Sequence, residues 1–171
     1  MRFFLVLITI FLFTQCTTSH KVTASRCNIE KMLTFFVSEN KIENKENLIL
    51  LIEFNNFPQK EKNYLVTFTA FDKNKFLGKN DDLEYHGFYN QDGYNITIVG
   101  KKNIPLEKVS SCFSKTSQEF FYNENGEIDN YDPETMKFYV DKNFKYVQSF
   151  YNTKDEIVKS KKIKKYLQSA N

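Results

Sequence analysis

Histidine is the scarcest of the side chains that do acid–base chemistry: the chain has two, His20 and His86. His86 lies in Glu84-Tyr85-His86-Gly87-Phe88-Tyr89, which reads as a strand, and strict alternation places it on one face with Glu84 and Phe88. A carboxylate beside an imidazole can act as general acid and base, so Glu84 and His86 are the candidate pair for a hydrolase. A strand histidine that only hydrogen-bonds a neighbour explains the same residues. No zinc site built on two histidines is expected, because His20 falls in a polar stretch ahead of the domain. Ser110-Ser111-Cys112 lacks the tight glycine-framed turn that exposes a nucleophile, and the five glycines form no phosphate-cradling loop. The residues call for no cofactor.

A second cluster is acidic. Asn123, Asn125, Gly126, Ile128, Asp129 and Asp132 fall at six of the twelve places of a calcium loop, but the first place is Phe121 and the closing bidentate Glu is replaced by Asp132. Without its first ligand the stretch reads as a turn, Asn123-Glu124-Asn125-Gly126, and no metal is expected. Exposed loops on a rigid sheet often carry recognition, which makes Glu124, Glu127, Asp129, Tyr131 and Asp132 a candidate binding edge.

The N-terminus decides where this chemistry would operate. Arg2 supplies a positive end, Phe3 to Phe13 is apolar apart from Thr9, and Phe13-Thr14-Gln15-Cys16 is followed by polar Thr17-Thr18-Ser19. An apolar run of this length is shorter than the ~20 residues that cross a bilayer as a helix, and its layout is that of a secretory signal. These sixteen residues resemble a bacterial lipoprotein precursor, with Phe13 where Leu is usual and Gln15 where a small residue is usual. The resemblance implies cleavage ahead of Cys16, lipid on that cysteine and a membrane anchor on the cell envelope. Because no acidic run follows Cys16, an outer-membrane lipoprotein facing the periplasm is expected. The alternative is cleavage after Val22-Thr23-Ala24, which gives a soluble secreted protein beginning at Ser25.

Three cysteines are an odd number for an exported chain. Lipid on Cys16 would leave Cys27 and Cys112 either as a disulfide in an oxidising compartment or as two separate buried thiols. Composition adds exclusions. Eighteen Phe and ten Tyr accompany no Trp, and arginine occurs only at Arg2 and Arg26. A formal net charge of +3 with so little arginine argues against a nucleic-acid partner.

The elements that must position these residues follow from periodicity. Residues 1–15 form the signal peptide, 16–25 the lipidated cysteine and tether, and 26–171 one domain. Ile29, Met32, Leu33, Phe36 and Val37 recur at helical spacing over 28–39, opposite Glu30, Lys31, Thr34 and Ser38. Leu48 to Phe54 reads as a short buried strand, with a helix as the other reading. Tyr64, Val66, Phe68 and Ala70 alternate with Thr67 and Thr69, and Asp72-Lys73-Asn74 predicts a hairpin turn. A second hairpin is predicted at Asn90-Gln91-Asp92-Gly93 between Leu83–Tyr89 and Tyr94–Gly100. Asn95-Ile96-Thr97 fits a glycosylation acceptor but sits inside that predicted strand. A short helix after Pro105 carries Leu106, Val109 and Phe113 inward, and Glu119–Tyr122 reads as a strand. Met136, Phe138 and Val140 lead into a further hairpin at Asp141 to Asn143, returning over 144–151.

Thr153-Lys154-Asp155-Glu156 has capping-box spacing and opens a last helix. Ile157, Ser160, Ile163, Tyr166 and Leu167 fall on its apolar side, with Lys154, Lys161, Lys162 and Lys165 on the other. Residues 154–171 hold six Lys against two acids, a net of +4, which either keeps the helix solvated or lies on anionic headgroups. The expected fold is α+β, a twisted antiparallel sheet of about six to eight strands with an N-terminal and a C-terminal helix. The function expected is that of an envelope-anchored binding module for a protein or small-molecule ligand, for instance a periplasmic immunity-type or inhibitor protein. The hydrolase on Glu84 and His86 and a purely structural envelope protein are the alternatives.

Overall fold

In the computed structural model, residues 27–43, 45–57, 63–73, 83–117, 133–149 and 154–169 are described. Seven strands form one sheet, with helices α1 (Asn28–Glu39) and α3 (Lys154–Ser169) and a single turn of helix, α2 (Glu107–Ser110). The strands are β1 (Leu48–Asn56), β2 (Asn63–Asp72), β3 (Glu84–Gln91), β4 (Tyr94–Gly100), β5 (Ser114–Lys115), β6 (Thr135–Asp141) and β7 (Tyr146–Ser149). Their order across the sheet is β5-β3-β4-β1-β2-β6-β7. The fold is α+β.

The sheet is mixed rather than wholly antiparallel. β1 runs antiparallel to β2, with Ile52 opposite Phe68, but parallel to β4, with Ile52 opposite Ile98. The cause lies in β1 itself. Ile49, Leu50, Leu51, Ile52 and Phe54 are all buried, so this strand is covered on both faces as parallel strands usually are. The β3–β4 hairpin then joins its free edge as a unit, and β4 is the member that lands there. The hairpin expected after Asp72 is not the one formed: among the described residues β2 pairs with β1 and β6, not with β3.

Two turns are built as their residues dictate. Asp92 and Gly93 both have positive φ, 52° and 85°, which matches the right-handed twist of β3 and β4. At the β6–β7 turn the Asp141 carboxylate accepts hydrogen bonds from the amides of Asn143 (2.8 Å) and Lys145 (2.9 Å), closing the loop from one side chain.

One face of the sheet carries the main core. Leu50, Ile52 and Phe54 line up with Val66, Phe68, Ile96, Ile98, Phe138 and Val140, and Ile29, Met32, Leu33, Phe36 and Ile163 of the two long helices join the same cluster. Phe36 stacks on Phe68 with ring centroids 5.9 Å apart. On the opposite face Leu51, Phe71 and Val99 form a smaller cluster with partly buried Leu83 and Tyr85.

Helix α1 is more enclosed than its amphipathic pattern predicts. Glu30 and Lys31, expected on a polar outer face, are 8% and 5% exposed. Gln91, at the end of β3, donates to the Glu30 carboxylate at 3.1 Å, while Phe35 meets Tyr166 of α3 at 5.7 Å. The helix is therefore wedged between the β3–β4 turn and α3. The two helices run antiparallel: Lys162 pairs with Glu39 at 2.6 Å and Lys159 reaches Asn40 at 3.5 Å, both at the C-terminal end of α1. Lys162 thus stays exposed on the basic face while also making this contact.

Cys27, the residue just before α1, is disulfide-bonded to Cys112, which follows α2, with Cα atoms 5.9 Å apart and a sequence separation of 85. Closing a loop of that length stabilises the fold by up to about 4.5 kcal/mol through the entropy removed from the unfolded chain. Replacing both cysteines by alanine is expected to lower stability by about 2–4 kcal/mol in urea unfolding. A reductant should then leave the variant unchanged while destabilising the parent, and equal stability of the two proteins would refute the contribution.

Candidate functional site

The strict alternation expected through Glu84 and His86 does not hold in β3. Tyr85 is opposite Val99 and Gly87 is opposite Ile98, so one extra residue, His86, is inserted in β3 as a bulge. The bulge reverses the alternation expected from the sequence. Glu84 pairs with Gly100 and Phe88 with Thr97, positions that belong to opposite faces of the sheet. The Glu84 carboxylate instead lies 3.7 Å from the Lys102 ammonium in an exposed ion pair. Nε2 of His86 is buried without a hydrogen-bond partner.

Gly87 was the available signal for this bulge. Its φ of +134° suits glycine, and a Cβ there would stand 2.9 Å from the Tyr89 hydroxyl. That hydroxyl donates to the His86 carbonyl at 3.0 Å, satisfying a backbone acceptor that the bulge takes out of the ladder. Tyr85 stacks beside Phe88 at 6.3 Å, and burial pushes its phenol up to about 12. Burial also raises Tyr139, and raises Tyr94 together with the nearby charges of Glu43 and Asp92.

Cys16 and the acidic residues Glu124, Glu127, Asp129, Tyr131 and Asp132 lie outside the described residues, as does the predicted strand over 119–122. Cys27 and Cys112 are together in the disulfide. Among the described residues no three His, Cys, Asp or Glu side chains gather as a metal site would require, and no helix is long and apolar enough to cross a membrane.

The structure does bring one group together that sequence spacing did not reveal. A cleft of about 440 Å³ opens between the edge strand β7 and α3, lined by Asn28, Lys145, Tyr146, Val147, Lys164, Leu167 and Gln168. Three segments far apart in sequence build it: the first residue of α1, the β6–β7 turn with β7, and the last turns of α3. Tyr146 fixes the inner wall. Its ring meets Phe138 edge-on at 6.1 Å, and its hydroxyl lies 3.1 Å from Oγ of Ser149 and 3.3 Å from Oγ of Ser160. β7 is thereby tied to α3 by a side-chain hydrogen bond.

The chemistry of this cleft is one-sided. Two ammonium groups, Lys145 and Lys164, line it with no carboxylate among the described residues, and Val147 and Leu167 add apolar surface. Val147, 46% exposed, is the large apolar side chain left open to solvent among the described residues. Such a surface suits a partner with negative charge and some apolar character. Comparison of the chain with protein-family models, curated proteins and solved structures finds no match.

Two outcomes test the β3 geometry. Gly87→Ala is expected to destabilise the fold by ~1–3 kcal/mol, the usual range for forcing a side chain into such a backbone conformation; an unchanged urea midpoint would be inconsistent with the bulge. The raised Tyr85 phenol means the folded state holds its proton when the unfolded chain has released it. Its contribution is complete below pH ~10 and declines as pH rises from about 10 toward 12. Tyr85→Phe should therefore flatten the loss of stability over that window, as read by urea unfolding at several alkaline pH values.

Proposed function

We propose that this protein is an envelope-anchored binding module, held by lipid on Cys16 and presenting the cleft between β7 and α3 to its partner. The observation that carries the reading is the cleft itself, where two ammonium groups and exposed apolar surface converge with no carboxylate among the described residues that line it. It deepens the expectation drawn from the sequence by replacing the acidic loop with a basic, partly apolar surface as the place of contact. The lipobox-like Phe13-Thr14-Gln15-Cys16 supports the anchor, and the disulfide between Cys27 and Cys112 suits an oxidising compartment such as the periplasm.

Binding is preferred over hydrolysis for a geometric reason. A hydrolase on Glu84 and His86 needs both groups in one pocket, whereas the Glu84 carboxylate stands at the surface beside Lys102 and Nε2 of His86 is buried.

Intact mass of the protein recovered from membrane and soluble fractions tests the anchor, with a Cys16→Ser variant beside it. The expected species is membrane-bound, begins at Cys16 with added acyl mass and disappears in the variant. A soluble species beginning near Ser25 would overturn the anchored reading and leave a secreted binding protein in its place.

A further inference from the structure

Helix α3 carries more positive charge than its packing uses. Lys162 is paired with Glu39 and Lys159 reaches Asn40, but Lys161, Lys164 and Lys165 are exposed. With exposed Lys145 at the mouth of the cleft, these make four ammonium groups that have no carboxylate within 4 Å among the described residues. Positions 161, 164 and 165 are three and four residues apart and share one side of the helix, turned away from buried Ile163.

The placement of this stripe matters as much as its charge. The cleft that Lys145 and Lys164 line is also lined by Asn28, the first residue of α1. The chain from the N-terminus therefore enters the fold at the same end of the molecule as the basic stripe. Cys16 precedes Cys27 by eleven residues, and a span of that length reaches at most about 40 Å even when fully extended. A domain so tethered holds its entry point, and the lysines beside it, close to the lipid headgroups. Val147, exposed and lining the same cleft as Lys145 and Lys164, adds an apolar side chain of the kind an interfacial protein seats in the headgroup layer.

From this juxtaposition we infer that the face formed by Lys145, Val147, Lys161, Lys164 and Lys165 docks on an anionic phospholipid surface. The inference rests on the anchored reading above, and it names the partner of the cleft region as the bilayer. Lysine rather than arginine fits this role, because a diffuse layer of headgroup phosphates needs mobile positive charge and not a fixed bidentate fork. Docking would fix the orientation of the domain, with β7 and the last turns of α3 against the membrane.

The test uses the full chain, purified in detergent and inserted into preformed vesicles of phosphatidylcholine alone or mixed with phosphatidylglycerol. A membrane-impermeant acetylating reagent is applied briefly and the modified lysines are read by mass spectrometry. On anionic vesicles Lys145, Lys161, Lys164 and Lys165 are expected to label several-fold more slowly than on neutral ones, because their summed attraction to the surface keeps the face docked for most of the time. Lys41, exposed just beyond the opposite end of α1, should be unaffected. The Lys145→Glu, Lys164→Glu double variant should still float with neutral vesicles through its anchor, while Lys161 and Lys165 regain full labelling. Equal labelling on both vesicle types would overturn the docking. Protection by soluble glycerophosphoglycerol without vesicles would also overturn it, in favour of a small-molecule site. A chain that fails to float with neutral vesicles yet is protected on anionic ones would remove the anchor and keep the docking surface.

Discussion

β1 has no side left for water, and the rest of the architecture follows from satisfying it. Its side chains are buried on both faces, so its amides and carbonyls must find partners along both edges. β2 supplies one edge over nine residue pairs, from Leu48 opposite Asp72 to Asn56 opposite Tyr64. β4 supplies the other, from Ile49 beside Asn95 to Phe54 beside Gly100. Once those two are in place, β3 follows β4 through the tight Asp92-Gly93 turn, and β6 extends the sheet from β2. The helices then cover the face on which Ile52, Phe54, Phe68 and Ile98 converge. Truncating Phe54 or Phe68 to alanine would remove packing of about 3–5 kcal/mol from this one layer, a large share of a small domain's stability.

Local chemistry made much of this legible. The β3–β4 hairpin is written in Asp92-Gly93, and the β6–β7 return in Asp141 and its two accepted amide bonds. The helical spacing of Ile29, Met32, Leu33 and Phe36 marks α1, and Ile163 marks the buried line of α3. What periodicity does not carry is direction and partner. A buried run such as Leu48 to Phe54 says that a strand is central, and the parallel pairing to β4, more than forty residues away, depends on how the hairpin between them is placed. The bulge at His86 was signalled by Gly87 alone, and it undid the face assignment on which the Glu84 and His86 pairing rested.

The cleft was out of reach for the same reason. Asn28, Lys145, Val147 and Lys164 share no sequence neighbourhood, and each has an ordinary reading in its own segment. Their meeting depends on α1 and α3 running antiparallel, which the contacts of Lys162 with Glu39 and of Tyr166 with Phe35 record. Helix-wheel reasoning places Lys162 on the solvent side, where it is exposed, but does not reveal that Glu39 of α1 is its neighbour there. Charge on an amphipathic helix is thus divided by tertiary packing into a part that holds the fold together and a part that stays free to act outward.

The disulfide also determines how the molecule would carry force. A pull on the chain ahead of Cys27, resisted by whatever grips β7 and α3, has two routes through the protein. One runs through α1 and the first four strands, held by hydrogen bonds and packing that give way in sequence. The other crosses directly from Cys27 to Cys112 through a covalent bond and rejoins the chain beyond α2. Tension takes the shorter, stiffer route, so residues 28–111 are shunted out of the load path. The backbone of residues 28–111 is spared while the tether is under strain, and the covalent load enters the sheet through strands that follow Cys112, where β6 passes it to β2 by their ladder.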